Sequence, residues 1–367
     1  MQREDQQLHW NGYRKFRVAR TVLEAEATTS LYLVPHDRKK LPAFRPGQFL
    51  TFRFQLPGDK SGEQKSVIRC YSLSDAPRED YFRVTVKRVP APSGADCPQG
   101  CISNHINDNV KVGDILDVQA PRGDFALDPH GTSPVVLIGG GVGVTPVLSM
   151  LNAITECGSK REVWFFYGVR KGADQIMQQH LRDIADAHAN VSLFVCYSDP
   201  SEVDTTDDGY QRRGHVSIDL IRDELKVTNF DFYICGPGGM MESLVPALQA
   251  WGVPKDRIHT EAFGPAAVRK PAAETTTVRG KQSKTKLTVK FSRSGKTVAW
   301  DPTADNLLNL AQSNGIAIDS GCRAGSCGTC LVAVKEGSTE CCVDADCPDG
   351  SCLTCVSVPV GNITLDA

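Results

Sequence analysis

Fourteen cysteines stand in the 367 residues, and eight of them crowd into residues 322–355, CRAGSCGTCLVAVKEGSTECCVDADCPDGSCLTC. The spacing C-x4-C-x2-C occurs twice there, as Cys322, Cys327 and Cys330 and again as Cys347, Cys352 and Cys355. In a reducing compartment, thiols this dense point to a metal or redox site and not to a disulfide framework. Two glycine turns form a second kind of chemistry. In VVLIGGGVGVTPVLSML an apolar run enters Gly139, Gly140, Gly141 and Gly143, with Thr145 expected as N-cap and Pro146 in the first helical turn. Glycines let a phosphate approach the backbone, and a helix N-terminus offers free N–H groups to it. ICGPGGMM repeats the theme with Cys235, Gly236, Pro237 and Gly238. A third stretch, RCYSLSDAP, places Arg69 and Tyr71 on one strand face, where a cation and a ring can flank a flat anionic ligand.

These residues need elements to hold them. Residues 10–131 read as short strands with alternating polarity and turn residues between them, the pattern of an antiparallel β-barrel, with one helix at GCISNHINDN. Residues 132–265 alternate continuously apolar strands with helical patterns, which implies a doubly wound α/β parallel sheet whose ligands sit at the strands' carboxyl ends. Residues 266–285 lack an apolar period and read as a linker, and 286–367 form a third compact unit. Net charge is −2, so nothing draws the whole chain to nucleic acid or membrane. With no apolar run long enough to be a leader or a span, the expected location is cytoplasmic.

Taken in order, Arg69-Cys70-Tyr71-Ser72-Leu73, VKR at 86–88, GCIS at 100–103, GGGVGVTP, CGPGGMM and EAFGP at 261–265 resemble the ferredoxin–NADP reductase superfamily. The barrel and sheet look especially like the reductase portion of bacterial flavohaemoglobins. Only about a dozen residues precede the barrel, so a haem-dependent nitric oxide dioxygenase role is not expected. The resemblance implies that Arg69 contacts a flavin pyrophosphate, Tyr71 packs on the isoalloxazine and Ser72 hydrogen-bonds near flavin N5. Val86 and Lys87 would lie along the ribityl and phosphate part, and Gly100, Cys101, Ile102 and Ser103 would offer N–H groups and a hydroxyl to the pyrophosphate. Gly141, Gly143 and Thr145 would hold the nicotinamide nucleotide, Gly236 and Pro237 of the second turn would also bind cofactor, and Cys235 would sit by the nicotinamide ring, with Glu261 near the flavin and Phe263 over the flavin's far face. Ser72, Cys235 and Glu261 are the expected catalytic set. The GCIS helix start favours FAD over FMN, although phthalate-type reductases carry FMN on a similar barrel.

The third unit, through IDSGCRAGSCGTCLVAV, resembles a plant-type [2Fe–2S] ferredoxin of α+β, β-grasp fold, with a fourth cysteine downstream. The family's strand TKLTVKFSRSGKTVAW, helix DNLLNLAQSNG and closing strand CLTCVSVPVGNITLD are present in order. That implies Cys322, Cys327 and Cys330 as ligands, with Cys355 favoured over Cys352 because it follows Leu-Thr; strand parity is also expected to keep the two from facing the cluster together. Cys341, Cys342, Cys347 and Cys352 are expected to be unligated thiols. Three such modules imply an electron-transfer reductase that takes hydride from NADH or NADPH and passes on single electrons, and their order resembles that of reductases serving Rieske-type and di-iron oxygenases, which implies a terminal oxygenase as the protein acceptor. The alternatives are a diaphorase-like reductase for another acceptor, or a redox-sensing or docking module. The choice of nucleotide rests on Arg170 and Lys171 in YGVRKGAD against the acids of CYSDPSEVD, which tilts toward NADH. Glu336, Glu340, Asp344, Asp346 and Asp349 read as a solvated acidic loop, with docking of a basic acceptor surface as the sharper hypothesis.

Overall fold

The structure, a computed structural model, describes residues 10, 12–57, 64–90, 101–206, 209–263, 287–321, 323, 325, 328–342 and 347–367. Gly100, the linker 266–285, Cys322, Cys327, Asp344 and Asp346 lie outside them. The chain divides into two units, Met1–Ala262 and Phe263–Ala367.

The first unit begins with six antiparallel strands, β1 (Arg14–Ala25), β2 (Thr28–Pro35), β3 (Phe49–Pro57), β4 (Gln64–Ser72), β5 (Phe82–Lys87) and β6 (Ile115–Val118), in the order β4-β3-β6-β1-β2-β5. A bridge between Leu73 and Val84, and the bond from Ser74 N to Arg83 O at 2.9 Å, join the two outer strands and close the barrel. Closure removes the exposed edges that an open sheet of this size would present. Phe16, Leu31, Leu33, Leu50, Phe52 and Phe82 fill the interior. The helix α1 (Cys101–Asn109) packs Ile102 and Ile106 into that same core.

From Val135 the same unit becomes a parallel sheet of β7 (Val135–Gly140), β8 (Val163–Val169), β9 (Val191–Tyr197), β10 (Arg212–Arg213), β11 (Asp231–Gly236) and β12 (Ile258–Ala262). Its order, β10-β9-β8-β7-β11-β12, reverses direction between β7 and β11. A crevice forms outside the strand ends at such a reversal, because the connections leave toward opposite faces. Helices α2 (Val144–Glu156) and α3 (Gln178–Ala187) pack with one core, α4 (Ile218–Leu225) and α5 (Gly238–Trp251) with the other. The continuous apolar strands follow directly, since both faces of the sheet are covered.

The second unit has a mixed sheet of β13 (Thr288–Phe291), β14 (Lys296–Ala299), β15 (Leu331–Glu336), β17 (Ser351–Leu353) and β19 (Ile363–Leu365), ordered β14-β13-β19-β15-β17, and a small ribbon of β16 (Thr339–Cys341) with β18 (Ser357–Pro359). Helix α6 (Leu307–Ser313) starts at Asn306, whose side chain accepts from Asn309 N. It buries Leu307, Leu310 and Ala311 against the sheet. Two expected strands divide. TKLTVKFSRSGKTVAW is a hairpin, turning at Gly295 with φ of 69°, and the closing strand breaks into β17, β18 and β19.

Candidate electron-transfer site

The two glycine turns meet at the sheet's reversal point. Cys235 on β11 is the register partner of Gly139 on β7. A Cβ on Gly143 would collide with the Cys235 carbonyl, so only glycine lets the turns pack this closely. Gly141 takes a φ of 54°, and the space above it is open within 4 Å. That is backbone left bare toward the crevice. A 3-10 turn over Gly141–Gly143 precedes α2, so Gly143 is the N-cap and not Thr145. Thr145 sits inside the first turn, where its hydroxyl donates back to Val142 O at 3.0 Å. Pro146 is in that first turn, as expected.

Ser72, Glu261 and Cys235 converge from the barrel and the sheet. Ser72 Oγ donates to Glu261 Oε2 at 3.4 Å across 189 residues of sequence. Glu261 is the register partner of Cys235 on the neighbouring strand. All three are buried. Burial, and then the Glu261 charge, push the Cys235 thiol well above its ordinary pKa, so it stays protonated at neutral pH. The trio therefore offers a hydroxyl, a carboxylate and a neutral thiol at the seam between barrel and sheet.

On β4, Arg69 turns one guanidinium nitrogen to Ile68 O at 2.7 Å, and Tyr71 meets Phe52 edge-on with ring centres 5.7 Å apart. Val86 belongs to the barrel core. Lys87 reaches across to Asp174 at 2.8 Å, tying the barrel to the loop after β8. Ile102 is also core, while Ser103 Oγ accepts from Val89 N at 3.2 Å. Cys101 opens α1; Gly236 ends β11, and Pro237 is the N-cap of α5. Phe263 follows β12 and is 37% exposed. Arg170 is exposed, whereas Lys171 pairs with Glu26 at 2.8 Å and Asp204 accepts from Gly172 N at 3.1 Å.

Sequence reasoning missed a buried polar junction just past β4. Asp75 accepts from Asn152 Nδ2 at 2.9 Å and Tyr81 OH at 2.8 Å, and it pairs with Arg83 at 3.5 Å and Arg78 at 3.3 Å. Ser149 Oγ donates to Asp75 O at 2.6 Å, and His180 bonds Asn152 Oδ1 at 2.9 Å. Burial raises the Asp75 pKa, but the Arg83 charge and these hydrogen bonds outweigh it and hold the carboxyl below its ordinary value. Ser149, Asn152 and Thr155 recur every third residue on a helix buried all round. That polar stripe was the available signal.

In the second unit Cys330 Sγ and Cys355 Sγ lie 3.1 Å apart, both buried. Cys352 and Cys355 face apart as expected, but by a turn and not by strand parity, because the strand ends at Leu353 and Cys355 stands on the turn that follows. That turn is fixed by Thr354, whose N–H and hydroxyl both donate to Cys330 O, at 3.1 and 3.0 Å. Cys352 instead points into the sheet core with Val289 and Phe291. Burial, then the neighbouring thiols, push it up to about 12.

Residues 19–127 match the oxidoreductase FAD-binding domain family, 137–245 the oxidoreductase NAD-binding domain family and 289–360 the 2Fe-2S iron-sulfur cluster binding domain family. The FAD/NAD-binding domain of the nitric oxide dioxygenase from Vibrio cholerae O1 biovar El Tor is 33% identical, over 70% of this chain and 100% of that one, with a TM-score of 0.60. The chain belongs to the ferredoxin–NADP reductase superfamily. This reductase is an oxidoreductase with FAD, NADH and [2Fe–2S] as its cofactors. The flavohaemoprotein of Bacillus anthracis is 40% identical over 258 residues, 70% of this chain and 62% of the relative, so the reductase spans less than two thirds of such relatives. Phthalate dioxygenase reductase, described as a modular structure for electron transfer from pyridine nucleotides to [2Fe–2S], shares the fold over 97% of this chain and 98% of its own at 24% identity, with a TM-score of 0.59.

The described residues fit these groups. Gly141 leaves bare backbone where a nucleotide phosphate could approach, and two buried thiols converge on one point where an iron–sulfur cluster could find soft ligands. No helix among the described residues is long and apolar enough to cross a membrane.

Proposed function

We propose that the reductase oxidises NADH and delivers single electrons to a separate protein, a Rieske-type or di-iron terminal oxygenase. The observation that carries this is a chain with both the nucleotide crevice and a converged thiol pair, together with a fold shared end to end with phthalate dioxygenase reductase. Bound FAD and [2Fe–2S] supply the exchange of a hydride for single electrons and a one-electron carrier. The protein supplies position and protons.

In this reading Arg69, Tyr71 and Ser72 of β4 hold the flavin, and Gly100, Cys101 and Ser103 bind its phosphates. Ser72 keeps its hydroxyl aimed by donating to Glu261, and Glu261 holds a negative charge at the seam. Cys235, kept neutral by burial and by that charge, presents an uncharged wall to a nicotinamide ring and excludes water. Gly141 and Gly143 hold the nucleotide phosphates. Lys171 is engaged by Glu26, leaving a 2′-phosphate one cation fewer and favouring NADH over NADPH. Cys322, Cys327, Cys330 and Cys355 are the cluster ligands. Anaerobic addition of NADH to the reconstituted protein should bleach flavin and [2Fe–2S] bands together, with iron at about two per chain. Flavin bleaching without iron–sulfur bands refutes the reading.

A further inference from the structure

The flavin side and the nicotinamide side of the site hang on two levers. On the barrel, Ser72 ends β4 as the register partner of Phe49, and the residues after it stay fixed: Leu73 N donates to Gln48 O and Ser74 N to Arg83 O, each at 2.9 Å. Asp75 follows directly. On the sheet, the first glycine turn runs into α2, whose Val147, Leu151 and Ile154 belong to the sheet core. These levers are pinned to each other. Ser149 Oγ donates to Asp75 O at 2.6 Å, Asn152 Nδ2 to Asp75 Oδ1 at 2.9 Å, and Arg78 to Glu156 Oε1 at 2.5 Å. Positions 149, 152 and 156 fall at helical spacing, so one face of α2 meets the turn at 75–78 along its length. Ser149 stands about 9 Å along the axis from the Gly143 N-cap, and a helix carries a shift at one turn rigidly to the next.

The carboxylate at the centre is held in one geometry. Its Oδ1 accepts from Ala76 N at 2.9 Å as well as from Asn152, and its Oδ2 accepts from Tyr81 OH at 2.8 Å and faces Arg83 at 3.5 Å. Arg83 is anchored in turn, donating to Ser74 O and, at 3.3 Å, to Ser74 Oγ. On the far side, His180 Nε2 bonds Asn152 Oδ1 at 2.9 Å and fixes which way the amide turns. Asp75, Ser149 and Asn152 are all buried. Apolar contact between barrel and helix would let one slide on the other, whereas a satisfied buried polar network is directional and does not.

We propose that Asp75, Ser149 and Asn152 are positioning residues for hydride transfer: they set the separation between the flavin at the Ser72 end of β4 and the nicotinamide at the glycine turn that opens α2. This rests on the flavin and nicotinamide sites of the function proposed above and is independent of its acceptor and of the thiol site. Hydride transfer needs the reacting atoms about 3–3.5 Å apart, and a misplacement of about 1 Å costs roughly 100-fold. Removing one pin, which displaces the levers by a fraction of that, should cost about tenfold in rate and little in affinity.

Anaerobic stopped flow on the full flavin- and cluster-loaded chain, over a range of NADH concentrations, separates the limiting rate of flavin reduction from the NADH dissociation constant. Ser149→Ala and Asn152→Ala should each lower the limiting rate roughly tenfold and leave the dissociation constant within about twofold of the parent. The long-wavelength charge-transfer absorbance of the reduced protein with NAD⁺, which reports ring stacking and not turnover, should fall with the rate. Arg257→Gln breaks the pair with Asp231 at the opposite end of β11; it controls for lost stability and should keep the parental rate and absorbance. Ser149→Ala keeps every partner of the Asp75 carboxylate and decides the matter if Asn152→Ala does not fold. Parental rates and absorbance in the variants, a dissociation constant that rises in step with the lost rate, or an equal loss in Arg257→Gln each overturn the positioning role. Failure of NADH to reduce the flavin of the parent overturns the proposed function, and this role with it.

Discussion

The nucleotide crevice and the thiol pair are built by opposite means. In the first unit, the functional groups stand at the ends of long, regular strands, and the register of β7, β11 and β12 sets Gly139, Cys235 and Glu261 side by side. In the second, Cys330 and Cys355 stand at the margins of three- to six-residue strands, on turns held by Thr354. A sheet carries position over distance because every residue is fixed by its neighbours' hydrogen bonds. A turn fixes position only locally, which suits a metal that itself completes the structure. The crevice should therefore be sensitive to backbone packing, and the thiol site to ligand chemistry.

The largest effect should separate the two buried cysteines of the closing segment. Cys355→Ser should abolish the [2Fe–2S] absorbance, whereas Cys352→Ala should keep it and cost about 1–2 kcal/mol of second-unit stability in thermal unfolding. Retained iron–sulfur bands in Cys355→Ser would break the comparison at its second half. In the crevice, Gly143→Val must push the Cys235 carbonyl away. Flavin reduction by NADH, followed by stopped flow, should slow roughly 100-fold while flavin content holds.

The Asp75 junction sharpens the first half. Asp75→Asn leaves Arg83 buried with a neutral partner and should cost about 3 kcal/mol, seen as a lower melting temperature of the first unit. Because the folded pKa of Asp75 is depressed, its contribution is fully present above the unfolded value of 3.8 and is lost as pH falls through the folded value. The parent should lose more stability than the variant on acidification below that point. The smallest effect concerns the acidic residues expected as one loop, of which the structure puts Glu336 at the end of β15, Glu340 in β16 and Asp349 on the turn before β17. Raising salt should slow transfer to a basic protein acceptor severalfold and ferricyanide reduction hardly at all.

Much of this was legible in the sequence because it was written locally. The glycine turns, their order and the barrel-then-sheet rhythm each occupy a few adjacent residues. Three features were not. The 3-10 turn before α2 displaced the cap from Thr145 to Gly143, since three glycines in a row permit a tighter entry than a capped helix. The Asp75 junction gathers Asn152 and His180 from far along the chain, and only the stripe on α2 hinted at it. The Leu-Thr context points to Cys355, whereas strand parity holds only while a strand continues, and here a turn follows Leu353.

The central claim is that electrons leave this protein through the thiol site. NADH-driven reduction of ferricyanide and of cytochrome c, measured side by side on the Cys330→Ser protein with flavin bound, tests it most directly. Ferricyanide reduction should stay within about twofold of the parent while cytochrome c reduction falls roughly 100-fold. Cytochrome c reduction at the parental rate would contradict the account.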